Sequence, residues 1–487
     1  MMKTYLLFLI LFQTTTEKKI DPRVESKMKS GNEQNVILLG TSQLFEGKDG
    51  FLTYCKENEN RKRSELRVEI IQTLKTIASE EQGTILKALG NPRPSAPLWL
   101  VNAISLRLTH EQIQKAASLP EVKYIYPGTR VRMGKPKGKV DQILQPGKRV
   151  PFSLKEKKVP WNLKAIEAPL AWKQTRGEGI VIAMLDSGVR YTHPDLKDNI
   201  WINNDEIPNN GIDEDQNGYI DDLYGYDFGR NSPKVMAAPN NRGLEHGTVT
   251  SGIVAGDGTS GTITGVAPRA KIMPLKGGGT HATALAWQYA LENGADIVNM
   301  SFSIPNLGTL RGLWRRMADH ATCAGLVLVS GAGNFQKSEQ IPVQIRIPEG
   351  IPSVICAGGI NRDHSLPGFV SLGPVEWSSV PFYHDFPLPK GLIKPDLSAF
   401  PGPGYPILSS GKTAYIDTNR NIKGNSFSSP HIAGVAALVL SVNPEIPSWK
   451  VKWILEKSCE DIGKKGKDTT TGMGLINAVR AVNAAKE

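Results

Sequence analysis

A carboxylate, an imidazole and a hydroxyl can together attack a carbonyl carbon: the acid orients the ring, the ring takes the hydroxyl proton, and the oxygen bonds to carbon. Three stretches of this chain carry such residues in suggestive surroundings. Asp186 ends the apolar run Ile180-Val181-Ile182-Ala183-Met184-Leu185, where a half-buried carboxylate is costly without a hydrogen-bonding partner. His246, one of eight histidines, opens the small-residue segment Gly247-Thr248-Val249-Thr250-Ser251-Gly252, and the adjacent glycine lets another segment come close. Ser426 lies in Gly424-Asn425-Ser426-Phe427-Ser428-Ser429-Pro430-His431, a polar turn that runs straight into an uncharged series of Ala, Val and Leu. Singly, each has a plain structural reading: a turn-forming aspartate, a helix cap, an N-cap serine. A fourth residue, Asn334 in Gly331-Ala332-Gly333-Asn334, is either a turn residue or a side-chain amide that donates to an oxyanion.

The elements that must position these groups follow from patterning. Apolar runs at Ile180–Leu185, Lys271–Leu275, Ile297–Ser301, Leu326–Ser330 and Ser353–Ala357 alternate with helical segments at about 281–293 and 310–323. Buried, β-branched strands separated by helices predict a doubly wound, mostly parallel α/β sheet covered on both faces. In such sheets the site lies beyond the carboxyl ends of the strands, where Asp186 and Asn334 fall. The helix after Ser426 is too apolar for a surface, so the serine stands at a buried helix's N-terminal edge, where unpaired N–H groups and the helix dipole favour negative charge.

The chain order Asp, His, Ser is that of subtilisin, against His, Asp, Ser in chymotrypsin. From Val159 to its end the chain resembles a subtilisin-family (subtilase) serine protease, on Leu185-Asp186-Ser187-Gly188, His246-Gly247-Thr248, Asn299-Met300-Ser301, Gly331-Ala332-Gly333-Asn334, Lys394-Pro395-Asp396-Leu397-Ser398-Ala399 and Gly424 to Leu438. The resemblance implies that Asp186 orients, His246 is general base and acid, Ser426 is the nucleophile and Asn334 the oxyanion donor. It also implies that Ser301, Phe302, Ser303, Gly331, Ala332 and Gly333 line the substrate pocket. Two departures bear on that pocket: Asn425 stands where the family usually has Thr, and Phe302-Ser303-Ile304 replaces a glycine-containing stretch. A secreted endopeptidase working through an acyl-enzyme is therefore expected, with an inactive subtilase-fold binding protein or a transpeptidase as alternatives.

Upstream, residues 35–127 read as a small α+β unit of the split βαβ, ferredoxin-like kind: a strand at Val36–Leu39, a helix over Ser64–Leu89, one long strand or two within Pro97–Leu108, a helix capped by Thr109 and a strand at Val122–Tyr126. This part resembles the family's inhibitory, fold-assisting propeptide, which makes the chain's own residues 17–127 a partner of its catalytic part and the whole an autoprocessed zymogen. Residues 128–158, rich in Lys, Arg, Gly and Pro, read as a protease-accessible linker holding the processing site. Residues 1–16 hold one lysine and a short apolar run, the shape of an export signal, and that run is far shorter than a membrane span.

Composition fits. A net charge of +11 on 487 residues permits nucleic-acid binding, but no such motif accompanies it, and the basic clusters read as solvated linker charge. Polypeptide substrates, no nucleic acid, no membrane span and a monomer are expected, outside the cell or in a periplasm. The four cysteines are too scattered for a disulfide scaffold or a zinc site, and at least one thiol of the catalytic part should be free. Lastly, Asp213, Asp215 and Asn217, with Gly218 allowing a sharp turn, match the first half of a calcium loop continuing through Tyr219, Asp221 and Asp222. The closing Glu is missing, since the twelfth place is Tyr224. A structural Ca2+ and a solvated acidic loop are the two readings, and some subtilases carry a similar loop here.

Overall fold

The computed structural model describes residues 19–28, 32–47, 49–94, 96–128, 138–144, 154, 157–238, 244–304, 310–341, 343–376, 392–409, 414–419 and 421–487. The expected export signal lies outside these residues, as does most of the expected linker.

The apolar runs form a seven-stranded sheet in which every pair is parallel, and its central strands are Val181–Asp186, Lys271–Lys276, Ile297–Met300, Val327–Gly331 and Ile355–Gly359. Burial on both faces explains their unbroken hydrophobicity. On one face lie His246–Ala255 and Ser428–Val442; on the other lie Thr280–Glu292 and Arg311–Cys323. The helix Ser428–Val442 is buried from Ser428 to Leu440, and each of its Val, Ile and Leu side chains contributes about 1.5–3 kcal/mol by leaving water. Asp186 and Gly331 end their strands at the same edge, the carboxyl edge, as the switch-point rule requires.

The N-terminal unit is a four-stranded antiparallel sheet in spatial order Ala96–Leu98, Ala103–Leu108, Gln34–Gly40, Val122–Pro127. The Pro97–Leu108 stretch is thus two strands, broken by a helical turn at Trp99–Val101 and by Asn102 in a left-handed conformation (φ 41°). One helix begins at Thr109, with both hydrogen bonds of a capping box in place. The long helix Arg63–Ala88 and the apolar face of Ile37, Leu39, Tyr124 and Tyr126 pack against the helices Thr280–Glu292 and Arg311–Cys323. Polar clamps fix this docking. Arg63 pairs with Asp296 at 2.7 Å, both side chains some 10% exposed, Arg67 Nη2 donates to Ala295 O at 2.6 Å, and the Leu100 N–H donates to Gln288 Oε1 at 3.2 Å. All four cysteines are free thiols, and Cys55 of the small unit meets Cys323 of the large one in this contact. Among the described residues no helix is long and apolar enough to cross a membrane.

Candidate active site

Asp186 and His246 meet because two backbones cross closely. The helix His246–Ala255 starts against the turn after Asp186, and a Cβ on Gly247 would sit 2.2 Å from Gly188 O, so only glycine permits the approach. His246 Nδ1 then lies 2.9 Å from both carboxylate oxygens of Asp186. The Ser187 N–H and hydroxyl also donate to Asp186, at 2.6 and 3.0 Å, and Thr250 Oγ1 lies 3.3 Å away. The Asp186 side chain is 5% exposed and the imidazole 31% exposed. Burial opposes the Asp186 charge, yet the imidazole and the Ser187 donors outweigh it and hold the carboxyl below its ordinary value. For His246 burial opposes the imidazolium, and the Asp186 charge and hydrogen bond reverse that and hold the ring above its ordinary value.

Ser426 sits half-buried in the helical turn Asn425–Phe427 that leads into the buried helix Ser428–Val442, and the ring centroid of its neighbour Phe427 lies 6.4 Å from that of His246. Its hydroxyl donates to Ser301 O at 3.2 Å. Asn334 is exposed at the rim; its Oδ1 accepts the Asn425 N–H at 2.8 Å, which fixes the amide and leaves Nδ2 as the outward donor. Asn425 does more than fill a neutral place. Fully buried, it donates from Nδ2 to Gly333 O at 3.3 Å and accepts from Ser428 Oγ at 3.0 Å, so it ties the Gly331–Asn334 loop to the Ser426 turn.

The expected pocket residues fall on two strand ends. Ser301 Oγ accepts from Asn299 Nδ2 at 3.0 Å and donates to Ser426 O at 3.0 Å, pinning the wall Ser301-Phe302-Ser303 against the Ser426 turn. Gly331, Ala332 and Gly333 are buried on the opposite strand end, where a Cβ on Gly331 would sit 2.7 Å from Asn425 O.

Residues 177–474 match the sequence model of the subtilase family. The chain belongs to the subtilase family. Among relatives of known name, it is 27% identical to Bacillopeptidase F of Bacillus subtilis, over 96% of this chain and 33% of that protein. It is 27% identical to Subtilisin-like protease 1 of Plasmodium berghei, over 63% of this chain and 50% of that protein, and 28% identical to Subtilisin NAT of Bacillus subtilis subsp. natto, over 66% and 71% respectively. This subtilase therefore spans between a third and a half of the length of the first two. That family is one of serine-type peptidases.

The acidic loop of this subtilase is folded tightly upon itself. Gly218 takes the left-handed turn (φ 92°) and donates its N–H to Asp213 Oδ2 at 2.9 Å, while the Asn217 N–H reaches Asp213 and Asp215 at 3.0 and 3.1 Å. Oxygens of Glu206, Asp213 and Asp215 lie within 4.8 Å of one another, a group that could hold a metal ion. Glu206 precedes the loop and supplies a carboxylate that the loop itself lacks at Tyr224, whose hydroxyl accepts the Leu144 N–H instead. Asp222 lies behind, joined to Asn203 and Asn217 at 2.9 and 3.0 Å. Burial pushes Glu206 up to about 7 and Asp222 up to about 6, with neighbouring carboxylates adding to the effect. The other two expected ligands go elsewhere. Asp221 accepts from the Asn210 N–H at 3.1 Å, and the ring of Tyr219 packs on Tyr226, Phe228 and Tyr289, which leaves only its carbonyl to offer.

Proposed function

We propose that this subtilase is an exported serine endopeptidase, made as a precursor that cuts itself, in which Asp186, His246 and Ser426 form the catalytic triad. The observation that carries the proposal is Asp186 holding both its oxygens on His246 Nδ1, with the ring of Phe427, the residue after Ser426, 6.4 Å from that imidazole. With Nδ1–H engaged by Asp186, His246 presents Nε2 as the base. In the reaction the Ser426 hydroxyl leaves Ser301 O and gives its proton to that nitrogen. Ser426 Oγ then bonds to the scissile carbonyl carbon, and the developing oxyanion meets Asn334 Nδ2 and the N–H groups of the helix's first turn. The imidazolium returns its proton to the leaving amine, and water, activated the same way, releases the acyl group.

The N-terminal unit, residues 17–127, is read as an inhibitory and fold-assisting propeptide; its Arg63–Asp296 pair and its apolar face on two catalytic-domain helices support that role. Residues 159–487 then form the catalytic domain, and the cut falls between Gly128 and Val159. Calcium is read as a structural ion. The donor set fits it: oxygen-only, carboxylate-rich and partly buried, with burial disfavouring the charged form of Glu206 and of Asp222 behind it, a penalty that a bound cation would offset. Glu206, Asp213 and Asp215 would hold the ion, whose charge relieves their repulsion.

The test is maturation of the purified chain. Wild-type protein should yield a new N-terminus within 128–159 and a Ser426 that reacts with a fluorophosphonate probe, and Ser426→Ala should stay full-length and unlabelled. Processing of the alanine variant at the wild-type rate would sink the assignment.

A further inference from the structure

Behind the pocket wall lies a carboxylate with unfinished hydrogen bonding. Glu349 is fully buried, and its Oε1 accepts from Ser303 Oγ at 2.6 Å and from the Arg346 N–H at 3.2 Å. Its Oε2 is buried too, with no hydrogen-bond partner among the described residues. The segment that carries it runs along the wall, since the Ile304 N–H donates to Ile347 O at 2.7 Å. Glu349 therefore touches the wall at its half-buried hydroxyl, Ser303, close to the carbonyl that holds Ser426. An acceptor left without a donor in the interior costs about 1–3 kcal/mol, and more when charged, so such an oxygen calls for an explanation. Burial pushes the Glu349 carboxyl up to about 7, a penalty that an arriving cation would remove.

The neighbouring cation does not supply what is missing. Arg346 bonds through Nη2 to Glu339 Oε1 at 2.5 Å and lies over the Phe335 ring, 3.7 Å from its centroid; its charge draws the Glu349 carboxyl down somewhat, but its Nε is buried without a partner and its main-chain N–H makes its one hydrogen bond to Glu349 among the described residues. Glu339, Arg346 and an ionised Glu349 together carry one net negative charge. The wall itself offers an apolar side in half-buried Phe302 and a polar one in Ser303. A long side chain with an alkyl stem and a cationic tip matches both.

We propose that Glu349 determines specificity, and that the pocket takes a lysine or arginine side chain on the acyl side of the scissile bond, its cation completing the hydrogen bonding of Glu349 Oε2. The inference rests on reading Ser301-Phe302-Ser303 as the wall of the substrate pocket. The experiment uses the matured full chain and a series of peptide substrates that differ only in the residue before the cut: Lys, Arg, Leu, Phe, Gln and Glu. Lys and Arg should exceed Leu by about tenfold or more in kcat/KM. Glu349→Gln keeps an acceptor for Ser303 and for the Arg346 N–H, and should lower the Lys-to-Leu ratio by roughly 10–100-fold. An unchanged ratio, or a wild-type preference for Leu, Phe or Gln over Lys, would overturn the proposal. Should the variant fail to fold, judged by loss of fluorophosphonate labelling, inhibition of the wild type by p-aminobenzamidine decides: competitive inhibition supports the cation pocket, and its absence refutes it. The two readings fail differently. A chain that neither labels at Ser426 nor cleaves any peptide sinks the protease reading and this inference with it, whereas labelling and cleavage without basic preference sink this inference alone.

Discussion

Replacing Asn334 by alanine separates the two tasks that its amide performs. Its Oδ1 accepts the Asn425 N–H at 2.8 Å, a structural bond between the rim loop and the nucleophile's turn. Its Nδ2 is the outward donor, at a residue exposed on the rim. Loss of one preorganised oxyanion donor costs about 2.7–4 kcal/mol in the transition state, which predicts a fall in kcat of about 10²–10³ with KM nearly unchanged. Loss of the acceptor leaves the Asn425 N–H without its partner at a fully buried residue, a destabilisation of about 1–3 kcal/mol. Asn334→Asp tells the two apart: it retains an oxygen for the Asn425 N–H, removes the donor and adds a negative charge facing the oxyanion. Thermal stability should therefore return towards wild type in the aspartate variant while kcat stays at or below that of the alanine variant. Steady-state kinetics on one peptide, paired with melting curves, read both quantities. A fall in kcat of less than tenfold, or a rise in KM that accounts for the whole loss, would mean that Asn334 is a rim residue and that the oxyanion is held by backbone alone.

Asp186→Asn should lower kcat by roughly 10⁴, because it favours the wrong imidazole tautomer. In the wild type, kcat/KM should rise with pH through an apparent pKa above the ordinary imidazole value of 6.5, since His246 must lose its proton to act as base; in the variant that limb should move down, because the group holding the imidazolium is gone. A limb that stays in place would free His246 from Asp186. Asp396→Ala should cost about 3–5 kcal/mol in unfolding, because it strands fully buried Lys394, 2.6 Å away, together with Lys452 and Lys467 on the other carboxylate oxygen; denaturant titration measures it, and a loss below 1 kcal/mol would count against the buried network. Adding Ca2+ should raise Tm and excess chelator should lower it, with Glu206→Gln weakening the response; identical melting curves with and without the ion would leave the loop as solvated acid.

The sheet was readable in the sequence because a strand buried on both faces has nowhere to put a polar side chain, so the runs around Met184, Val298 and Val329 announce themselves. Asp186 and Asn334 follow from that frame, since each closes such a run or stands just beyond it. The helices Pro22–Met28 and Gly50–Glu57 were not foreseen, because seven or eight residues are too few for a helical period to stand out. Nor did the pattern decide between one strand and two in Pro97–Leu108, where Asn102, Ser105 and Arg107 interrupt the apolar run without a marked break; the division is made by Asn102, whose buried amide donates to Ser42 O at 3.0 Å and so belongs to tertiary structure.

What stayed hidden at the site shares a cause. Glu206 and Glu349 are ordinary acids in ordinary loops, and neither lies within a motif that asks for a carboxylate; only the folded chain brings one beside Asp213 and Asp215 and the other beneath Ser303. Asn425 was visible as a departure, but its meaning was not, because a swap of Thr for Asn looks neutral until Gly333 O and Ser428 Oγ are found at the two ends of its amide. A threonine hydroxyl has one donor and reaches less far, so it could not span both. The amide allows the Gly331–Asn334 loop and the Ser426 turn to be held by the Asn425 side chain as well as by the Asn425 N–H on Asn334 Oδ1. A departure from family pattern next to Ser426 therefore strengthens the link between the Ser426 turn and Asn334, and leaves the chain's individuality to be sought around Phe302 and Ser303, where Ser303 and Ile304 meet the segment of Glu349.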